Sequence, residues 1–237
     1  MIFDKEAFLT GQVFLIDKPL HWTSFQVVNK MRWLIRKNFG IKKIKVGHAG
    51  TLDPLATGLL IICCGKMTKA IADFQGQEKE YTGRLQLGAT TPSYDLESAI
   101  DHTFPTEHIT ETLIEEARQQ FVGKIQQRPP LFSALKKEGK RLYDYARKGE
   151  TVEIPSREVC ISKFELNTDK FPEVQFTVSC SKGTYIRSLA HDFGHAVQSG
   201  AHLTQLQRQR IGNFSLEQAI TLDSFEEQVL KAKDQPL

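Results

Sequence analysis

One carboxylate in this 237-residue chain stands in a setting suited to chemistry: Asp53, between Leu52 and Pro54, inside GHAGTLDPLATG at 47–58. Three glycines and one proline in those twelve residues exclude an ordinary helix or strand interior and describe a shaped loop. The ring of Pro54 locks its own φ and drives Asp53 toward extended backbone, which aims the carboxylate. A lone Asp-Pro is more often a simple turn former. His48, five residues earlier in the same loop, is unusual for a mere turn.

Other chemistries find no support. His191 and His195 have the i, i+4 spacing of a zinc protease helix, and His202 follows, but Asp192 stands where that motif needs glutamate. No C-x-x-C pair is present, so no metal is expected. Gly47, Gly50, Gly58 and Gly65 do not compose a G-x-x-x-x-G-K-[ST] phosphate loop, although Gly65-Lys66 comes close. G-x-S-x-G is absent, and Cys63 and Cys64 lie in an apolar run that would leave their thiols inert.

Composition bounds the answer. Hydrophobic residues at 40% and charged residues at 25% argue against a disordered or collagen-like chain. No run approaches the ~18 apolar residues of a membrane helix, and MIFDKEAFLTGQ is not a secretory signal. Four cysteines, two of them adjacent, do not make a disulfide scaffold. The expectation is a reduced, soluble, cytoplasmic protein. Net charge is only +3, but residues 29–46 hold seven basic side chains and no acid, and 124–148 hold eight against two. Residues 93–116 reverse this with seven acids and no base. Such segregation makes a one-sided field suited to a polyanion such as nucleic acid.

The elements that must position Asp53 can be read around it. Val13 to Ile16 form a short strand stopped by Pro19. Thr23 or Ser24 caps a helix with the stripe Val27, Val28, Met31, Leu34 and Ile35. LLIICC reads as a buried strand, and 81–87 alternate as a half-buried one. Leu113, Ile114, Ala117 and Phe121 mark a helix face. FPEVQFTVSCS is another strand, running into a helix with Ile186, Leu189, Ala190, Phe193 and Val197 at its core. Residues 123–157 read as an inserted loop region with at most a short helix. Strands and helices mix without a βαβ rhythm, so an α/β architecture of the α+β type around a mixed sheet is expected.

GHAGTLDPLATGLL resembles the catalytic loop of the TruB family, the tRNA pseudouridine-55 synthases. Lys18-Pro19 with Thr23-Ser24 resembles the family's K-P-x-G-x-T-S signature, and Lys79-Glu80-Tyr81 with Leu87-Gly88 its next strand. Ser181 to Leu189 resembles its G-T-Y-I-R-S-L segment. PPLFSALKKEGKRLYDYARKGE resembles a thumb-like RNA-binding insertion, and GAHLTQLQRQRIGNFSLEQA a final helix-strand region. The match runs from about Gln12 to Leu222 in family order. Two positions depart: His21 stands where the signature has glycine, and Ser98 where a glycine usually closes the loop after Asp95.

The resemblance implies a pseudouridine synthase fold: a mixed, largely antiparallel twisted sheet flanked by helices. It implies one catalytic domain over 1–237, a thumb-like segment at about 124–152, and no C-terminal PUA-type domain. It implies isomerisation of uridine 55 in the tRNA T-loop, an isomerase activity with no cofactor, by a monomer that engages neither membrane nor metal. Asp53 is then the catalytic carboxylate; attack at C1′, deprotonation at C2′ and addition at C6 all stay open. Arg187 is implied as its partner and Tyr81 as the ring that stacks on the flipped base and assists loss of the C5 proton. His48 would fill the vacated space, and Tyr185 and Leu206 would line the pocket. Core packing competes for Tyr81 and Leu206, and loop bracing for His48. Lys18 would brace the active loop, while Lys136, Lys137, Lys140 and Arg141 contact RNA phosphates. A catalytically silent tRNA-binding folding chaperone is the alternative, which an intact Asp53 and Arg187 argue against.

Overall fold

A computed structural model describes residues 2–133, 135–137, 139–146, 150 and 152–233. The chain separates into two compact units, Met1–Tyr81 with Gln207–Leu237, and Thr82–Leu206. In chain order the first unit opens with α1 (Lys5–Thr10), β1 (Val13–Lys18), α2 (Ser24–Phe39), β2 (Val46–His48), β3 (Ala56–Cys64) and α3 (Ile71–Gly76). Strand β4 (Lys79–Leu87) runs from it into the second unit. The second unit continues with β5 (Ala89–Thr90), β6 (His102–Thr103), α4 (Glu111–Gln119), β7 (Gly123–Gln127), β8 (Lys136–Lys137) and β9 (Lys140–Arg141). Then come α5 (Leu142–Ala146), β10 (Arg157–Lys170), β11 (Glu173–Cys180) and α6 (Ile186–Ala196). Strand β12 (Ala201–Ile211) leads back to the first unit, which ends in β13 (Phe214–Ser215), β14 (Ile220–Thr221) and α7 (Leu222–Lys233).

In the first unit the strand order is β14, β1, β3, β12, with β2 also on β3. β1 runs antiparallel to β3, Ile16 opposite Leu60, and parallel to β14. Every β3 residue from Leu59 to Cys64 is fully buried, as expected of a strand covered on both faces. α2 packs its stripe Val27, Val28, Met31, Leu34 and Ile35 against Phe14, Ile16, Leu60 and Ile62. Thr23 caps that helix, with Thr23 and Gln26 satisfying each other's backbone amides in a capping box. Gly40 ends it in the left-handed conformation.

In the second unit the order is β12, β4, β11, β10, β7. β10 pairs antiparallel with both β11 and β7. Phe164 meets Phe121 and Phe193 edge-on, with Phe164 and Phe193 rings 6.0 Å apart. The α+β class and a mixed, mostly antiparallel sheet with flanking helices agree with expectation.

Part of the insertion expectation needs correction. Residues 123–127 are a sheet strand, with Arg157–Ile161 opposite them. GKIQQ carries one large apolar side chain, so its alternation is invisible to hydrophobicity while Gln127 is still buried. The short helix expected further on is α5. Strand β10 and helix α7 were not read at all.

Gly58 marks a tight backbone-to-backbone passage in the first unit. Its φ is +100°, and a Cβ there would meet the Arg208 backbone. Gly58→Ala should therefore cost about 2 kcal/mol or more and lower Tm by about 4–8 °C. Gly40 also has positive φ but opens on empty space. Gly40→Ala should cost only about 1 kcal/mol. Thermal melts giving the two variants equal losses would contradict the close approach.

Candidate active site

The Asp53 loop is held on both shoulders. Ser24 Oγ accepts the Leu52 N–H at 2.8 Å and donates to the Leu52 carbonyl at 3.2 Å. Ser24 is itself buried at the first position of α2, so the helix grips the loop through one hydroxyl. On the other shoulder, the His21 N–H donates to the Pro54 carbonyl at 2.8 Å. His21 has a φ of 65°, the left-handed conformation that explains glycine at this place in the family signature. Asp53 itself is half-buried, and its carbonyl accepts the Ala56 N–H as β3 begins.

Two buried cations stand behind the loop. Lys18 Nζ donates to the Pro19 and Trp22 carbonyls at 2.9 and 2.6 Å, tying the turn that meets Pro54. Burial lowers its pKa to about 8, against the opposing pull of the Asp53 charge, while Arg208 lowers it further. The hydrogen bonds of Lys18 thus brace the 19–22 turn, whose His21 N–H meets the Pro54 carbonyl. Arg208 escaped the sequence reading. Its Nε donates to the Leu59 carbonyl at 2.7 Å and one terminal nitrogen to Gly50 at 3.1 Å, joining β3 to the loop. Only its alternation with Leu206 and Arg210 hinted at a fixed strand position.

His48 is pushed toward the neutral imidazole by burial and then by the Arg208 charge. Its Nδ1 is buried with no hydrogen-bond partner among the described residues, while a backbone interaction with Gly50 opposes the shift. Tyr81 is buried on β4 in the same unit.

In the second unit, the segment before α6 is held by its own set of hydrogen bonds. The Tyr185 N–H donates to the Gln127 side-chain carbonyl at 2.7 Å, and the Gln127 amide donates back at 3.0 Å. Ser188 Oγ donates to the Arg128 carbonyl at 2.8 Å. The Arg157 guanidinium lies 4.9 Å from the Tyr185 ring centre and donates to the Gly183 carbonyl. Arg187 is buried, not a solvated helix residue. It lies 3.6 Å from the Asp95 carboxylate and donates to the Ser93 and Phe132 carbonyls. Within this unit those bonds fix the guanidinium plane. Gln127 and Asp95 are positioning residues that the sequence reading did not assign. Leu206 is buried.

Ser98 holds the loop after Asp95 through a 2.7 Å bond to the Ser93 hydroxyl. Lys140 is exposed; the side chains of Lys136, Lys137 and Arg141 lie outside the described residues. His191 stacks on Tyr94 with ring centres 3.8 Å apart, and burial lowers its pKa to about 4. No cluster of three or more metal-ligating side chains occurs among the described residues.

Residues 36–186 match the family model described as TruB family pseudouridylate synthase (N terminal domain). Residues 187–237 match the tRNA pseudouridylate synthase B C-terminal domain. The chain belongs to the TruB pseudouridylate synthase family. A tRNA pseudouridine synthase B from Flavobacterium johnsoniae is 60% identical, over 94% of this chain and 97% of that protein. One of the same description from Phocaeicola vulgatus is 59% identical, over 93% and 94%. A chain in the crystal structure of a Cbf5-Nop10-Gar1 complex superposes with TM-score 0.68 at 29% identity. That match covers 97% of this chain, which spans only 60% of the solved one.

The depressed Lys18 gives the loop a pH signature. Between about pH 8 and the ordinary lysine value of 10.5, the unfolded chain keeps a proton that folded Lys18 has released. Raising pH through that window therefore favours the folded state at this residue. Lys18→Met removes the contribution. Denaturant midpoints should show the native chain gaining on Lys18→Met from pH 8 to 10.5; parallel midpoints would reject a depressed lysine.

Proposed function

We propose that this TruB family member converts uridine 55 in the T-loop of tRNA to pseudouridine, with Asp53 as the catalytic carboxylate. The observation that carries the reading is the double anchoring of the Asp53 loop, at Leu52 by Ser24 and at Pro54 by His21. The backbone on both sides of Asp53 is thereby fixed, in a chain of this family. The reaction breaks N1–C1′ and joins C5 to C1′; the proton lost from C5 is matched by one gained at N1. Atoms and electrons balance without a co-reactant.

The target base lies stacked in the RNA, so it must be flipped out, at a cost of a few kcal/mol. Neutral His48 fills the vacated space in this reading, and the Tyr81 ring stacks on the flipped base and assists the C5 proton. In this reading Tyr185 and Leu206 form pocket wall, and Arg187 is the family-implied partner that orients Asp53. The enzyme acts as a cytoplasmic monomer, and lysines of the thumb-like segment meet phosphates.

Asp53→Asn keeps the shape and removes the charge. Pseudouridine formation on a T-arm stem-loop should vanish while binding stays within about threefold; turnover by the variant, free of deamidation, would sink the assignment. Arg187→Lys keeps the charge and loses the planar fork. Its single-turnover rate should fall far more than its RNA affinity, and the reverse pattern would make Arg187 an RNA contact.

Neutralising Lys136, Lys137, Lys140 and Arg141 together should reduce the slope of log affinity against log salt by up to about three. Fluorescence anisotropy across a salt series reads this directly. An unchanged slope would remove the thumb-like segment from the RNA grip.

A further inference from the structure

Helix α2 carries a feature that the loop chemistry does not use. Trp33 is 50% exposed on its outer face, unusual for so large an apolar ring. It borders a cleft of about 610 Å³ closed by the turn after the helix, with Arg32, Arg36, Lys37, Ile41 and Lys42 in its walls. No acid lines that cleft. Lys37 Nζ lies 4.7 Å from the Trp33 ring centre, and Lys30 Nζ lies 5.4 Å away. Lys30 is already paired with Glu226 at 2.7 Å, and Arg32 bonds Asn29 and the Val46 carbonyl. Arg36, Lys37 and Lys42 are exposed, with Lys43 and Lys45 beside them on the same turn.

A flat ring bordered by exposed cations is the arrangement that binds an unstacked nucleobase and its flanking phosphates. We infer that Trp33 and the cations Arg36, Lys37 and Lys42 form a second RNA site, which stacks one unpaired base of the tRNA substrate. An incoming base takes the ring face that Lys37 now covers, and the released ammonium meets the adjoining phosphate. Trp33 lies nine residues beyond Ser24, so the site is about 14 Å along the helix axis from the grip on Leu52. At about 3.4 Å per stacked nucleotide, that is about four steps, so the captured base is not the reacting one. The inference rests on the tRNA reading above.

The test uses fluorescence anisotropy with whole tRNA across a salt series, together with single-turnover pseudouridine formation at saturating RNA. Trp33→Ala should weaken binding about 5- to 100-fold without changing the salt slope, because a stack is lost and no charge. Trp33→Phe, which keeps an aromatic face, should recover most of that affinity. Replacing Arg36, Lys37 and Lys42 by Gln should lower the slope by about two to three. The saturating rate should stay at the native value in all three, since none touches the Asp53 loop.

Native affinity for Trp33→Ala, or an unchanged slope for the triple variant, would overturn the site while leaving the enzyme's reading intact. A collapsed saturating rate would also overturn it, by placing these residues in the catalytic machinery. A native chain that neither binds nor modifies tRNA would refute the tRNA reading, and this site with it.

Discussion

One hydroxyl governs how Asp53 can act. Ser24 satisfies both polar groups of Leu52, the residue immediately before the carboxylate. A loop of three glycines has great backbone freedom, and fixing it costs entropy residue by residue. The grip works because Ser24 is not free either: it begins a helix whose cap is complete and whose stripe is buried against β1 and β3. The order imposed on Asp53 is therefore borrowed from the hydrophobic core, transmitted through two hydrogen bonds to a single oxygen.

Electrostatics then specialise the same unit. Two cations, Lys18 and Arg208, are buried close behind the loop, and their positive ends are spread over backbone carbonyls. Burying a charge is costly unless it is hydrogen-bonded. Carbonyls meet that need without neutralising the charge, so a positive field remains. Burial, and then the Arg208 charge, push His48 toward the neutral imidazole. In the other unit Arg187 is likewise buried and bonded to two carbonyls, with Asp95 beside it. Buried arginines that spread their bonds over backbone carbonyls recur in this protein.

Recognition of RNA calls on different physics. Phosphate contacts are long-ranged and weak with salt, and exposed lysines supply them without fixed geometry. Stacking is short-ranged and needs a flat face held in place. Trp33 stands on a helix whose opposite side is core, so its ring is carried by a fixed backbone.

How much of this could be read from the residues depends on the range of the interaction. The Asp53 loop, the β1 and β3 strands, the Thr23 cap and the α2 stripe were legible because glycine, proline and capping rules are local and buried segments keep their period. The family motifs supplied Tyr81, His48, Arg187 and Tyr185 as candidates. Strand β7 stayed hidden because GKIQQ borrows its stability from pairing with β10, not from its own hydrophobicity. Arg208 and Gln127 were missed for the same reason: nothing beside them in the chain marks them as buried. Arg208 finds its carbonyls in Gly50 and Leu59, about 150 residues earlier, and Gln127 finds Tyr185 58 residues on. The sequence by itself determined the local shape of the Asp53 loop and, through its family motifs, the candidates for its chemistry. Only the tertiary structure decided which charges are buried beside it, because burial depends on partners that the chain brings together from far apart.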